Sequence, residues 1–120
     1  MKRVLVVDDD PDIGGLLQEF LTAQGWRVVL AANGREAIEA ARATRFDVAI
    51  VDWSLPDITG REVLNQLRHH QPGCALLVTT GHGSDVVSDA YVGTVVGALL
   101  RKPFSLRTLS EELGKLLLTT

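Results

Sequence analysis

The sequence predicts an α/β fold, a doubly wound parallel sheet with helices on both faces, and three observations carry that prediction. Short apolar runs rich in β-branched residues recur at Val4–Val7, Trp26–Leu30, Asp47–Val51, Leu76–Thr80 and Leu99–Lys102, and such runs read as strands buried on both sides. Segments with apolar residues at helical spacing lie between them, so strand and helix alternate five times, as in stacked βαβ units. The strands also end in polar or charged residues, and that carboxyl edge is where open α/β sheets bind ligands.

The first run leads into Asp8 and Asp9. Asp10-Pro11 then offers an N-cap followed by proline at the first helical position, and Ile13, Leu16, Leu17, Phe20 and Leu21 repeat at helical spacing, predicting a helix over 11–23. Gly14 and Gly15 inside it are poor helix formers, each about 1 kcal/mol worse than alanine. Gly25 is a stop signal, Trp26–Leu30 reads as the second strand, and Asn33-Gly34 opens an alanine-rich helix to Ala43. The third strand runs into Asp52. Leu55-Pro56-Asp57-Ile58-Thr59-Gly60 is loop chemistry, and Arg61–His70 follows with Val63, Leu64 and Leu67 on one helical face. His69 and His70 complement the negative end of that helix, which stops at Gln71-Pro72-Gly73. Ser84–Gly97 has poor helix propensity where the alternation demands a fourth helix, so a short or mobile element is expected there. A final helix over 105–118 is signalled by Leu106, Leu109, Leu113, Leu116 and Leu117.

With 120 residues, 46% of them hydrophobic, the chain is expected to form one domain, 1–120, around a single core. A net charge of −3 argues against non-specific nucleic-acid binding, because no basic stripe is available to displace counterions from a phosphate backbone. Cys74 is the single cysteine, which excludes an internal disulfide and a multi-cysteine zinc site and suits a reducing cytosol, where it reads as a small buried hydrophobe. No basic leader precedes an apolar segment and no apolar run is long enough to span a bilayer, so a soluble, cytoplasmic protein without membrane contact is expected.

Asp8, Asp9, Asp52, Thr80 and Lys102 would meet at one edge of such a sheet. Magnesium takes oxygen ligands and is usually held by one or two carboxylates together with a phosphate, which matches these aspartates. Clustered carboxylates repel, so at least one pKa should rise. Phosphoryl transfer needs positioning and charge stabilisation, and a carboxylate can be the attacking group. Asp52 stands alone at a central strand end and is the better acceptor, while the adjacent Asp8 and Asp9 are better arranged as a metal clamp. Thr80, with Thr79 as a positional rival, can donate a hydrogen bond to the phosphate, and Lys102 can neutralise a second oxygen. Trp53 adjoins Asp52 and should report on the site.

In these features the chain resembles the receiver domain of two-component response regulators. The motifs are Val6-Val7-Asp8-Asp9, Asp52 with Pro56 and Gly60 behind it, Thr80-Gly81-His82-Gly83, and Lys102-Pro103-Phe104. The resemblance implies a flavodoxin-like five-stranded sheet of order 2-1-3-4-5. It implies phosphorylation of Asp52 with Mg2+ held by Asp8, Asp9, Asp52 and the backbone carbonyl of Ser54, the phosphoryl group bound by Thr80 and Lys102, and a cis Lys102-Pro103 peptide. It further implies a sensor histidine kinase or phosphotransfer protein as partner, and a switching surface made by the fourth helix, fifth strand and last helix, through which a homodimer could form. Such a domain accepts a phosphoryl group and promotes its own phosphorylation and dephosphorylation without being an enzyme in the usual sense. Ser54 and His82 occupy positions that tune phosphate lifetime. Two departures stand out: Leu99 occupies a position usually aromatic, and Thr94-Val95-Val96 replaces a usual Ala-Gly-Ala. The rival readings are a pseudo-receiver serving for docking or dimerisation, and a small aspartate-nucleophile phosphatase, for which the chain lacks a second acidic motif and a cap.

Overall fold

A computed structural model of the chain describes residues 2–81 and 96–118. His82 and all of the expected fourth helix except Val96 and Gly97 lie outside the described residues. Within them the order is β1 (Arg3–Val7), α1 (Pro11–Ala23), β2 (Arg27–Ala31), α2 (Gly34–Ala43), β3 (Val48–Asp52), α3 (Gly60–His70), β4 (Ala75–Thr80), β5 (Ala98–Arg101) and α4 (Leu106–Leu118). The five strands form one parallel sheet of order β2-β1-β3-β4-β5. The chain steps outward from β1 to β2 and then crosses to the other side of β1, which puts the topological switch point between β1 and β3.

Both faces of the central strands are covered, which is why their sequences are continuously apolar. Leu5, Val7, Ala49, Val51, Leu76 and Val78 pack under α2 and α3 with Ala37, Ala41, Val63, Leu64 and Leu67. The alternate residues Val4, Val6, Val48, Ile50 and Leu77 pack under α1 and α4 with Leu17, Leu21, Leu109, Leu113 and Leu116. Full burial of a leucine or valine side chain contributes about 1.5–3 kcal/mol, so these two layers dominate the stability. Cys74 belongs to the first layer, and burial pushes its thiol up to about 12.

Local chemistry sets the helix ends. Asp10 caps α1 by accepting the Asp12 N–H at 2.9 Å, with Pro11 at the first helical position. Gly25, at φ +95°, makes the left-handed turn that ends it, and the Trp26 N–H closes the turn on the Leu21 carbonyl. That bond explains why β2 begins at Arg27, one residue later than its hydrophobic run. Arg27 is also the residue that stands opposite Arg3. Likewise β3 reaches Asp52, one residue beyond its apolar run, because Asp52 still pairs with Thr79. Gly14 is buried and a Cβ there would meet Leu30 at 3.9 Å, an ordinary contact, and nothing in the structure explains Gly15.

Candidate functional site

The site is built on the carboxyl ends of β1, β3, β4 and β5. Asp8 follows β1 and its N–H donates to the Ala31 carbonyl at 3.1 Å, which fixes its place beside the sheet. Asp52 is the last residue of β3, held on one side by pairing with Thr79, whose carbonyl accepts the Trp53 N–H at 2.8 Å. Thr80 ends β4, and its carbonyl accepts the Lys102 N–H at 2.7 Å, so β4 directs the residue that follows β5. The Lys102-Pro103 peptide is cis.

These placements bring together residues that lie up to 94 positions apart. The Lys102 Nζ donates to Asp8 Oδ2 at 3.0 Å and to Asp52 Oδ2 at 3.1 Å, bridging two carboxylates that are almost completely buried. The remaining oxygens are engaged by the backbone: Asp8 Oδ1 accepts the Asp10 N–H at 2.9 Å, and Asp52 Oδ1 accepts the Ser54 N–H at 3.0 Å. Asp9 is exposed and completes a trio in which one carboxylate oxygen from each of Asp8, Asp9 and Asp52 lies within 4.8 Å of the others. A trio of carboxylate oxygens is the donor chemistry of a hard divalent cation. The Thr80 hydroxyl is buried with no hydrogen-bond partner among the described residues. A buried hydroxyl left without a partner by the described residues has hydrogen-bonding capacity to offer at this edge.

Burial raises the Asp52 carboxyl above the usual aspartate value, outweighing the Ser54 N–H and Lys102, which pull it down. The expected mutual repulsion does contribute, through Asp8, but it is the least of these influences. Burial acts on Lys102 in the opposite sense, yet its bonds to Asp8 and the charge of Asp52 win, and its ammonium is held above the usual lysine value. The pocket therefore keeps its cation and resists ionising one of its acids.

Asp8, Asp9, Asp52 and Lys102 are thus assembled as the sequence suggested, with Thr80 at the same edge. Ser54 is tied to Asp52 through its N–H. Leu99, in the usually aromatic position, is half-buried against the layer under α2 and α3. Sequence reasoning passed over two residues of the segment after Asp52. Thr59 caps α3 by accepting the Glu62 N–H at 3.2 Å, and the Thr-x-x-Glu spacing was a signal that could have found it. Asp57 accepts the N–H groups of Gly34 and Arg35, at 2.9 and 3.0 Å, a contact across 23 and 22 residues that no local pattern announces.

Comparison with known proteins agrees with this geometry. The profile of the response regulator receiver domain matches residues 4–114. The chain is 39% identical to the probable transcriptional regulatory protein TcrX of Mycobacterium tuberculosis over 119 residues, 98% of this chain and 50% of that protein. It is 35% identical to the alkaline phosphatase synthesis transcriptional regulatory protein PhoP of Bacillus subtilis over 118 residues, 97% of this chain and 48% of that one. The chain therefore spans about half the length of the curated relatives it matches. Among solved structures it is similar to a CheY-like receiver domain protein from Methanospirillum hungatei, with a TM-score of 0.89, 30% identity and coverage of 96% of this chain and 92% of that one. It is also similar to the response regulator TrrA of Thermotoga maritima in complex with Mg2+ and BeF, with a TM-score of 0.79, 31% identity and coverage of 97% and 99%.

Proposed function

The chain belongs to the response regulator receiver family, and from that premise we propose that Asp52 accepts a phosphoryl group from the phosphohistidine of a sensor histidine kinase or phosphotransfer protein. The observation that carries this reading is the Lys102 ammonium bridging buried Asp8 and Asp52. A carboxylate oxygen of Asp52 forms the new bond to phosphorus as the bond to the donor imidazole breaks. The module is a phosphoacceptor for signalling and not a classical enzyme. The ion proposed for the acidic trio is Mg2+, held by Asp8, Asp9, Asp52 and the Ser54 backbone carbonyl, and it supplies neutralisation of phosphoryl charge in the transition state.

Lys102 and Thr80 complete the cradle. Lys102 already lies against the acceptor carboxylate, so its charge is in place without reorganisation. The Thr80 hydroxyl, buried without a partner among the described residues, gains one when a phosphoryl oxygen arrives. Phosphorylation then shifts a pre-existing equilibrium of the surface formed by β5, α4 and the segment between β4 and β5. We take the whole chain, 1–120, as one receiver domain working in the cytoplasm, with any DNA contact and any homodimer through that surface lying beyond its phosphate chemistry.

The test is labelling with acetyl phosphate, read by intact mass. One phosphoryl group should be added in the presence of Mg2+, and none with a chelator or in Asp52→Asn. Labelling of Asp52→Asn at the wild-type rate would overturn the assignment.

A further inference from the structure

The segment between β3 and α3, residues 53–59, is held at three points. At its start the Ser54 N–H bonds the Asp52 carboxylate itself, at 3.0 Å. At its end it folds back on itself, because α3 begins with Gly60, where a Cβ would stand 2.6 Å from the Trp53 carbonyl oxygen and 2.8 Å from its ring. In the middle the exposed Asp57 spans to α2, one carboxylate oxygen accepting the Gly34 N–H at 2.9 Å and the other the Arg35 N–H at 3.0 Å.

Two neighbouring amides are satisfied locally. Asn33 Oδ1 accepts the Glu36 N–H at 2.8 Å, and Glu36 Oε1 accepts the N–H of Ala32, the residue before the cap, at 3.1 Å. Asp57 takes the N–H groups of the first two helical residues, Gly34 and Arg35, with its carboxylate at the positive end of the helix. The packing around the strap is equally tight: a Cβ on Gly34 would stand 2.8 Å from Val63 Cγ2 and 3.2 Å from Ile58 Cβ. Those glycines let α2 and α3 close on the segment.

We propose that Asp57 is a positioning residue of the metal site, strapping the segment after Asp52 to the N-terminus of α2 so that its backbone is set for the cation before the cation arrives. This deepens the magnesium reading above and rests on it. The strap and Ser54 are three residues apart on one short segment fastened at both ends. Cutting it at Asp57 returns conformational freedom that metal binding must then remove, which weakens binding without touching a ligand. Binding and strap are also linked reciprocally, so an ion that favours the ordered segment must favour the Asp57 bonds to α2.

The experiment is a Mg2+ titration of the wild type, Asp57→Asn and Asp57→Ala by calorimetry and tryptophan fluorescence, well below each unfolding transition, together with amide exchange with and without Mg2+. Asp57→Ala should bind about tenfold more weakly, and Asp57→Asn, which keeps one acceptor oxygen, should fall between it and the wild type. Mg2+ should slow exchange of the Gly34 and Arg35 amides in the wild type and leave them unchanged in Asp57→Ala. Wild-type affinity in both variants, with only a lowered Tm, would make Asp57 a stability residue and overturn the proposal. Indifference of both amides to Mg2+ in the wild type would do the same, and that measurement decides the matter if Asp57→Ala does not fold. A wild type that binds no Mg2+ would instead remove the functional reading on which the proposal stands.

Discussion

Replacing Lys102 by methionine keeps the apolar stem and deletes the ammonium, leaving two carboxylate side chains that are only 4% and 7% exposed without their shared cation. Removing one partner of a fully buried ion pair costs about 3–5 kcal/mol. Here the lysine side chain is 20% exposed and the neighbouring Asp9 is open to water, while Asp52, whose carboxyl burial already holds above the usual value, can relieve the repulsion by taking a proton. A loss of about 2–3 kcal/mol is therefore expected for the metal-free protein at neutral pH. For a domain of this size that corresponds to a fall in Tm of roughly 8–12 °C. Mg2+ should reverse much of it, because the ion takes over the countercharge and no longer competes with an ammonium for Asp8 and Asp52. A tenfold gain in affinity would add about 1.4 kcal/mol of stabilisation at saturating metal.

The assay is urea unfolding of both proteins in chelator and in excess Mg2+, with equal m values as the check that only stability has changed. A variant within about 0.5 kcal/mol of the wild type in chelator would refute the reasoning. So would a stabilisation by Mg2+ no larger than the wild type's. The pH dependence supplies a further check. Lys102 is held above its ordinary value of 10.5, so its contribution is fully present below that value and is lost as pH rises through the higher folded value. The metal-free wild type should lose that stability in strongly alkaline solution, and Lys102→Met should not.

Three further outcomes are expected. The raised pKa of Asp52 means that its ionised form is disfavoured by folding, so metal-free stability should fall as pH rises from about the ordinary value of 3.8 through the folded one; comparison of Tm against pH should show this slope in the wild type and its absence in Asp52→Asn. Gly60→Ala would place a Cβ 2.6 Å from the Trp53 carbonyl oxygen and should cost more than about 2 kcal/mol with a shift in tryptophan emission, whereas Gly73→Ala meets nothing within 4 Å and should stay within about 0.5 kcal/mol of the wild type by denaturant titration. Cys74, with its thiol pushed up to about 12 by burial, should resist a disulfide reagent at pH 8 in the folded protein and react fully in denaturant; rapid labelling of the native state would contradict its burial.

Local physics made most of the architecture readable from the chain. Apolar runs in β1, β3 and β4 must be buried on both faces, and Asp10-Pro11 and Asn33-Gly34 start helices through bonds that reach only a few residues. Strand ends were legible to within about one residue, and pairing settled the rest, giving Asp52 to β3 and Arg27 to β2. Gln71 shows where legibility stops. It reads as a helix terminator, yet its side chain accepts the Phe46 N–H at 2.7 Å and donates to the carbonyls of Ala41 and Thr44, fastening the end of α2 to the approach to β3.

By itself the sequence determined that carboxylates, a hydroxyl and an ammonium stand at the ends of parallel strands, since residue type and periodicity are properties of neighbours in the chain. Only the tertiary structure decided that Lys102 reaches both Asp8 and Asp52, that burial more than repulsion lifts the Asp52 carboxyl, and that Asp57 is tied to α2. Distance, desolvation and hydrogen bonding between remote segments depend on how the elements pack, and no local pattern encodes them.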